Sequence, residues 1–170
     1  MPRQAKPIDK LTTSEFHSRF PDDDACRRYL MRCRWPARVR CPRCDNTDVY
    51  DISSFRPFHW QCHACNPNGY RFSVLVGTIF QNKHLPLIDW FRVIHLMLRG
   101  EQVAAIRRTM RFGSKQTAGA MYRRVQAAVA ERAFDQLGHI IDAEIAARGV
   151  FSRAERLELA QSAAGLAQKR

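Results

Sequence analysis

Two CxxC pairs near the middle of the chain constrain its fold more than any other feature of the sequence. Cys41, Cys44, Cys62 and Cys65 follow the pattern C-x2-C-x17-C-x2-C, which falls within the spacing of structural zinc sites. Each CxxC turn can present two thiolates to one ion, and two such turns complete a tetrahedral site that has no open position. The pattern therefore predicts one structural Zn²⁺ ion that serves stability and not catalysis.

The cellular compartment bears on this assignment. The opening residues MPRQAKPIDK lack the apolar segment of an export signal, and Asp89, Arg92 and His95 interrupt the longest apolar-looking segment, 85–98. We therefore expect a soluble, cytoplasmic protein that does not bind membranes. In a reducing cytosol six thiols do not form three disulfides, so a metal site or a redox site is favoured.

Other interpretations of individual cysteines and histidines stay open at this level. A thioredoxin-type redox pair would explain one CxxC but leaves the second without a role. His59 and His63 lie near the cysteines and could replace one of them, although four thiolates already saturate the ion. Cys26 and Cys33, seven residues apart on a predicted helix, are interpreted as small buried residues.

The segment around the cysteines has the composition of a small β unit. Short runs rich in aromatic and β-branched residues (TDVYDI, RPFHWQC and YRFSVLV) predict three strands within residues 41–82. About forty residues bury too little core to be stable alone, whereas zinc ligation can contribute on the order of 10 kcal/mol. Asp45 with Asn46, and Asn66, follow the two CxxC pairs and tolerate the left-handed backbone that such turns often need.

The rest of the chain has helical patterns. Two short helices are predicted before Pro36, the first capped by Thr13 or Ser14, and three more within residues 83–130. The sequence predicts two further helices, at about Phe134–Arg148 and after Ser152, that close the core or dimerise. The predicted fold is α+β and mostly α, with a zinc ribbon inserted between N-terminal helices and a helical bundle. The predicted segments are 1–40, 41–82, 83–130 and 131–170.

Positive charge is concentrated in two of these segments. The formal net charge of +12 divides into +5 for residues 1–40, 0 for 41–82, +7 for 83–130 and 0 for 131–170. Such clustering favours a polyanionic partner. No segment has the long basic amphipathic face of a membrane-binding helix, so double-stranded DNA is the predicted partner, with no small-molecule substrate.

Residues 101–130 have the layout of a helix-turn-helix. Glu101–Met110, the turn Arg111–Gly113 and Ser114–Ala130 follow one another as helix, glycine-bearing turn and helix. An ordinary corner between two core helices has the same pattern, and the basic charge favours DNA binding. The predicted packing face comprises Ala104, Ile106, Met121, Val125 and Val129. The predicted DNA-binding residues are Arg107, Arg108, Arg111, Ser114, Lys115, Gln116, Thr117, Arg123 and Arg124.

Several short motifs follow one another in order around the two cysteine pairs. They are Cys26, Tyr29-Leu30, Arg34-Trp35-Pro36, Gly77-Thr78-Ile79-Phe80, Pro86-Leu87 and Trp90-Phe91. Their order resembles the N-terminal region of prokaryotic insertion-sequence transposases that carry a zinc ribbon. The resemblance runs from about Thr13 to Ala130 and implies a zinc-stabilised module that recognises the ends of a mobile element. It implies that the four cysteines bind zinc and that Ser114–Thr117 open the recognition helix.

Those transposases also have a nuclease-like domain in which three separated carboxylates bind two divalent metals. The forty residues after Ala130 have a helical pattern, and their carboxylates follow helical spacing. We therefore predict a DNA-binding protein without strand-transfer activity, and not an enzyme by itself. Two alternatives stay open: an adaptor that docks on a protein through the ribbon or C-terminal helices, and the DNA-binding subunit of a split transposase.

Overall fold

The computed structural model describes residues 6–82 and 84–147. The described part of the chain has an α+β fold with six α-helices and a three-stranded antiparallel sheet. Within it, no helix is both long enough and apolar enough to cross a membrane. A short 3-10 helix, Ile8–Lys10, is followed by α1 Thr13–Arg19, α2 Asp23–Arg34, β1 Tyr50–Asp51, β2 His59–Cys62, β3 Tyr70–Ser73, α3 Leu87–Leu98, α4 Val103–Met110, α5 Lys115–Ala130 and α6 Ala143–Ala147.

Side-chain caps define the starts of the first two helices. Thr12 and Glu15 form a capping box on α1, and Thr12 lies one residue before Thr13 and two before Ser14, the predicted caps. Asp22 caps α2 by accepting a hydrogen bond of 2.7 Å from the backbone N–H of Ala25. The aspartates that follow Asp22 lie where the helix dipole favours negative charge.

The predicted three strands form one small sheet in the order β1-β2-β3. The central strand β2 pairs with β3 from His59–Ser73 to Cys62–Tyr70, whereas β1 pairs with it over only two residues. Along β2, Trp60 and Cys62 are buried and alternate with less buried neighbours, as expected for a sheet with one face on a core. The buried face of the sheet is thus tied both to the core and to the cysteine site.

Helix α3 lies at the centre of the helical core. Its residues Phe91 and Ile94 are fully buried, and the Phe91 ring lies 5.1 Å from that of Phe20 at the end of α1. Helices α2, α4 and α5 all pack against α3. The apolar residues of LIDWFRVIHLML recur at three- and four-residue steps, and the face that they form is the one around which the bundle assembles.

The region after α5 differs from the prediction. A helix was expected from Phe134, but residues 131–142 form turns and α6 begins only at Ala143. Gly138 and His139 both adopt left-handed backbone, with φ of +57° and +56°, which interrupts a helix. The buried side chains of this region, Leu137, Ile140, Ile141 and Ile145, belong to the hydrophobic core. The end of the predicted helix at Arg148 and the whole predicted helix after Ser152 lie outside the described residues.

His95 is a buried histidine of the core and predicts a pH dependence of stability. It is 3% exposed, stacks on Phe16 at 4.5 Å, and its Nε2 lies 3.0 Å from the Leu11 carbonyl oxygen. Burial lowers the pKa of His95 below 6.5. The unfolded chain therefore takes up this proton first as the pH falls, and the folded state loses stability as the pH falls below about 6.5.

We expect the free energy of unfolding to fall more steeply between pH 7.5 and 5.5 in the wild type than in His95→Gln. One proton can account for at most about 1.4 kcal/mol per pH unit. Urea denaturation of both proteins at the two pH values measures the difference, and acid release of zinc affects both proteins alike. Equal slopes for the two proteins would contradict the prediction.

Candidate metal centre and basic helices

The four predicted cysteines converge on one point. Their sulfur atoms all lie within 4.8 Å of one another. The Sγ–Sγ distances are 3.8 Å for Cys41–Cys65, 3.6 Å for Cys44–Cys62 and 3.9 Å for Cys62–Cys65. A zinc–sulfur bond of about 2.3 Å in a tetrahedron requires sulfur atoms about 3.8 Å apart. The thiols therefore fit one tetrahedral zinc ion, which is the predicted structural cofactor.

The four thiols can all be thiolates only with a cation bound between them. The backbone N–H of Cys65 is the main factor that lowers the pKa of Cys62 to about 7. Desolvation of its sulfur, with the neighbouring thiols, raises the pKa of Cys65 to about 12. Four thiols this close cannot all ionise at neutral pH without a positive ion between them. When bound, zinc supplies that charge and cross-links the two CxxC turns.

The two turns are shaped by the residues after each CxxC. Asp45 has the left-handed backbone expected there, with φ of +57°, and its N–H donates to the Cys41 carbonyl at 2.9 Å. Asn66, for which the same conformation was expected, does not adopt it. Its side-chain oxygen instead accepts the N–H of Asn68 at 3.0 Å, and Gly69 takes the left-handed conformation, with φ of +81°. The second turn is thus completed by an Asx turn and a glycine three residues later.

The neighbouring histidines and cysteines do not join the site. Among the described residues, the four cysteines are the one group of three or more His, Cys, Asp or Glu that could hold a metal ion. His59 Nδ1 lies 2.8 Å from the Pro57 carbonyl oxygen, and His63 Nε2 lies 3.1 Å from the amide nitrogen of Gln61. Cys26 is fully buried, and burial raises the pKa of Cys26 to about 12, as expected for a packing residue.

An aromatic contact joins the cysteine site to the helices. Trp35, directly after α2, lies edge-on to Trp60 with ring centroids 5.3 Å apart, and Trp60 stacks on Phe72 at 6.1 Å. Arg34 lies 4.7 Å above the Trp35 ring and donates a hydrogen bond to the Val74 carbonyl after β3. Burial of the Arg34 guanidinium between α2 and the sheet lowers the pKa of Arg34, because burial disfavours the charged form. The ribbon is therefore fixed to the end of α2.

The predicted basic residues lie on α4, the following turn and α5. Arg107, Arg108, Arg111, Arg123 and Arg124 are all exposed. No carboxylate of the described residues forms a salt bridge with any of them. Residues 103–130 contain no Asp or Glu at all. These two helices therefore present positive charge that is not paired with a carboxylate in the described part of the chain.

The polar residues that open α5 have distinct surroundings. Ser114 caps the helix by accepting the Gln116 N–H at 3.2 Å. Gln116 is exposed and Thr117 is half-buried, so only the former is fully open to a partner. Lys115 is the first residue of α5, and its side chain lies outside the described part of the structure.

The predicted packing face is largely correct. Ile106, Met121 and Val125 are at most 2% exposed, and Val129 packs against the core. Ala104 is exposed, contrary to the prediction. It lies in the first turn of α4, two positions before Ile106, and residues two apart do not share a helix face.

Sequence reasoning missed one residue that lies beside two of the basic side chains. Gly119 lies inside α5 and is buried, and the atoms nearest to where its Cβ would lie are those of Arg107 and Arg123. A glycine inside a helix is costly relative to alanine and often marks a close approach. The presence of glycine inside a predicted helix was therefore the one feature of the sequence that pointed to this position.

Comparison with known proteins supports the assignment of the metal centre. Residues 21–68 match the sequence family described as the transposase zinc-ribbon domain. A protein in the transposable element ISH50 of Halobacterium salinarum strain NRC-1, described as uncharacterized, is 30% identical over 70 residues. The alignment covers 41% of this chain and 23% of that protein, so this chain spans less than a quarter of its relative. No solved structure has a significant match to the chain.

The segment that matches the transposase zinc-ribbon family, residues 21–68, thus contains the four-cysteine site, in line with the resemblance. The match includes α2, the junction at Trp35, β1 and β2, and it ends before β3. Helices α4 and α5 lie outside it.

Proposed function

We propose that this chain is a transposase-related DNA-binding protein whose zinc ribbon braces a basic helix-turn-helix. The observation that carries the proposal is the exposed positive charge of α4 and α5, which no acidic residue within 103–130 balances. Clustered arginines repel one another and favour a polyanionic partner, and duplex DNA supplies a continuous row of phosphates. The zinc-ribbon domain, of a family named for transposases, is consistent with such a partner.

The proposed readout follows from the order of α4 and α5. Arg111 ends α4 in a left-handed conformation, and Ser114 starts α5 three residues later, so the two helices are joined by a tight turn. In a helix-turn-helix the first residues of the second helix contact base edges. We assign that role to Gln116, which is exposed on the first turn of α5, while the arginines hold phosphates.

Neutralising part of this surface tests the proposal. We expect the triple variant Arg108→Gln, Arg111→Gln, Arg124→Gln to bind a mixed-sequence duplex roughly a hundredfold more weakly than wild type near 0.1 M salt. All three side chains are exposed and have no salt-bridge partner among the described residues, so the fold should persist. Fluorescence anisotropy with a labelled duplex measures the affinity, and circular dichroism checks the fold.

Arg56→Gln is the matched control for this comparison. Arg56 is an exposed arginine of the ribbon, a segment without net charge, and it is remote in sequence from α4 and α5. It should bind the duplex as the wild type does. Equal weakening by Arg56→Gln and by the triple variant would show that total charge, and not the two helices, determines binding.

We further propose that these residues do not perform strand transfer by themselves. In the described part of the chain the carboxylates are dispersed, and several pair with cations, as Asp24 does with Arg27 at 2.7 Å and Asp45 with Arg40 at 2.8 Å. The reaction needs carboxylates gathered around two divalent ions. Incubation with Mg²⁺ or Mn²⁺ and DNA should leave the strands intact. Cleavage by the purified chain would overturn this part, whereas activity only with a second polypeptide would favour a split transposase.

One observation favours the adaptor as a second candidate. Phe55 is 88% exposed at the turn between β1 and β2, and Tyr50 on β1 is 60% exposed. Exposed aromatics on the ribbon are typical of protein-binding surfaces. An adaptor would bind duplex DNA weakly and lose nothing further in the triple arginine variant.

A further inference from the structure

Two arginines from different helices meet over Gly119. If a Cβ were present on residue 119, it would lie 2.9 Å from Arg107 Nη2 and 3.4 Å from Arg123 Nη1. Both nitrogen atoms are therefore close to one point, and their separation cannot exceed the sum of those two distances. Arg107 comes from the last turn of α4, and Arg123 lies one turn after Gly119 on α5.

The surroundings of Gly119 argue against a packing role for the glycine. Glycines that allow two helices to approach usually face the backbone or an apolar side chain of the neighbour. Here the three nearest atoms all belong to the guanidinium groups of the two arginines. The missing side chain thus makes room for a charged group against the α5 backbone, although glycine weakens a helix relative to alanine.

Two like charges held this close repel each other unless an anion lies between them. No described carboxylate forms a salt bridge with either arginine. A phosphodiester has two free oxygens, and a guanidinium nitrogen approaches such an oxygen to about 2.8 Å. One phosphate can therefore accept hydrogen bonds from both arginines at any separation within that upper bound.

We propose that Arg107, Arg123 and Gly119 form a clamp for a single DNA phosphate, which sets the position of α5 on the duplex. This inference rests on the proposed function. Gly119 is part of the clamp because it lets the Arg107 guanidinium cross α5 beside that of Arg123. The clamp differs from the other exposed arginines of α4 and α5 because two guanidinium groups converge on one ligand.

The first test is Gly119→Ala, which should separate stability from binding. A new methyl group would meet only the end of a flexible arginine side chain, so the fold should tolerate it. The melting temperature should be unchanged or higher, because alanine favours helix. Affinity for a labelled mixed-sequence duplex should fall about tenfold near 0.1 M salt, and the slope of log K against log salt should flatten by about 0.9, the contribution of one phosphate.

Gly113→Ala is the matched control because nothing lies within 4 Å of the position of its Cβ. It adds the same methyl group near α5 without displacing an arginine, so affinity and slope should match those of the wild type. Arg107→Lys tests geometry, since lysine keeps the charge but lacks the planar fork. It should weaken binding about as much as Arg107→Gln.

The result that would overturn the clamp is wild-type affinity and wild-type slope for Gly119→Ala and Arg107→Lys while the triple variant Arg108→Gln, Arg111→Gln, Arg124→Gln still binds weakly. In that case DNA binding stands and the clamp does not. If the wild-type protein fails to bind duplex DNA at any salt concentration, the proposed function is wrong, and the clamp, which depends on it, is wrong as well. The two failures are therefore distinguishable in one set of titrations.

Discussion

Cys44→Ser is expected to abolish zinc binding and to unfold the zinc-ribbon domain. Cys44 is exposed, so the substitution itself removes little packing, and the loss comes from the missing ligand. Zinc ligation contributes on the order of 10 kcal/mol in comparable small domains. A sheet whose strands are only two to four residues long cannot compensate for the loss of that stabilisation. Elemental analysis should give one zinc per wild-type chain and none for the variant, and the variant should lose its cooperative thermal transition.

The effect should extend beyond the ribbon because Trp35 and Arg34 join the sheet to α2. Release of Trp60 from Trp35 exposes aromatic surface at the end of that helix, next to the helical core. We therefore expect a strong chelator to unfold the wild-type protein, and added zinc to restore it. Cys33→Ser is the control. Because Cys33 lies outside the metal site, this variant should keep the zinc and the fold. A metal-free protein that melts cooperatively at the wild-type temperature would refute the structural role of zinc.

The cysteine site could be predicted because its signal is local and chemical. Two CxxC turns in a chain expected to be reduced leave few other uses for four thiols, and Asp45 has the backbone conformation that its residue type suggested. The three strands and the helices up to Ala130 could likewise be located from periodicity and caps. The predicted cap of the first helix, Thr13 or Ser14, lies one or two residues after the observed cap, Thr12.

The parts that could not be predicted depend on contacts between distant segments. Residues 131–142 contain enough apolar residues for a helix, yet they form turns that place Ile140 and Ile141 in the core, and the N–H of Ile79 bonds to the Gln136 carbonyl at 2.8 Å. Gly138 approaches Leu30 so closely that a Cβ would lie 2.2 Å from its Cδ1. Nothing in the local sequence indicates these partners, just as nothing near Gly119 indicates that Arg107 crosses it.

The affinity for duplex DNA is expected to fall about five-hundredfold between 50 and 200 mM salt. Five exposed arginines and Lys115 are the proposed contacts with five phosphates, because Arg107 and Arg123 share one. Each phosphate contacted on B-DNA contributes about −0.9 to the slope of log K against log salt, so a slope of about −4.5 is predicted. Isothermal anisotropy titrations at four or more salt concentrations measure it directly.

The slope is more informative than any single affinity because it counts phosphate contacts. The triple variant Arg108→Gln, Arg111→Gln, Arg124→Gln should flatten it by about 2.7, and Arg56→Gln should leave it unchanged. Loss of Gln116, which we assign to base contact, should lower the affinity for a selected site without changing the slope, because no counterion is released by a neutral side chain. A nearly flat slope for the wild-type protein would exclude the phosphate contacts. It would favour the adaptor, whose binding surface at Phe55 and Tyr50 contacts a protein and not DNA.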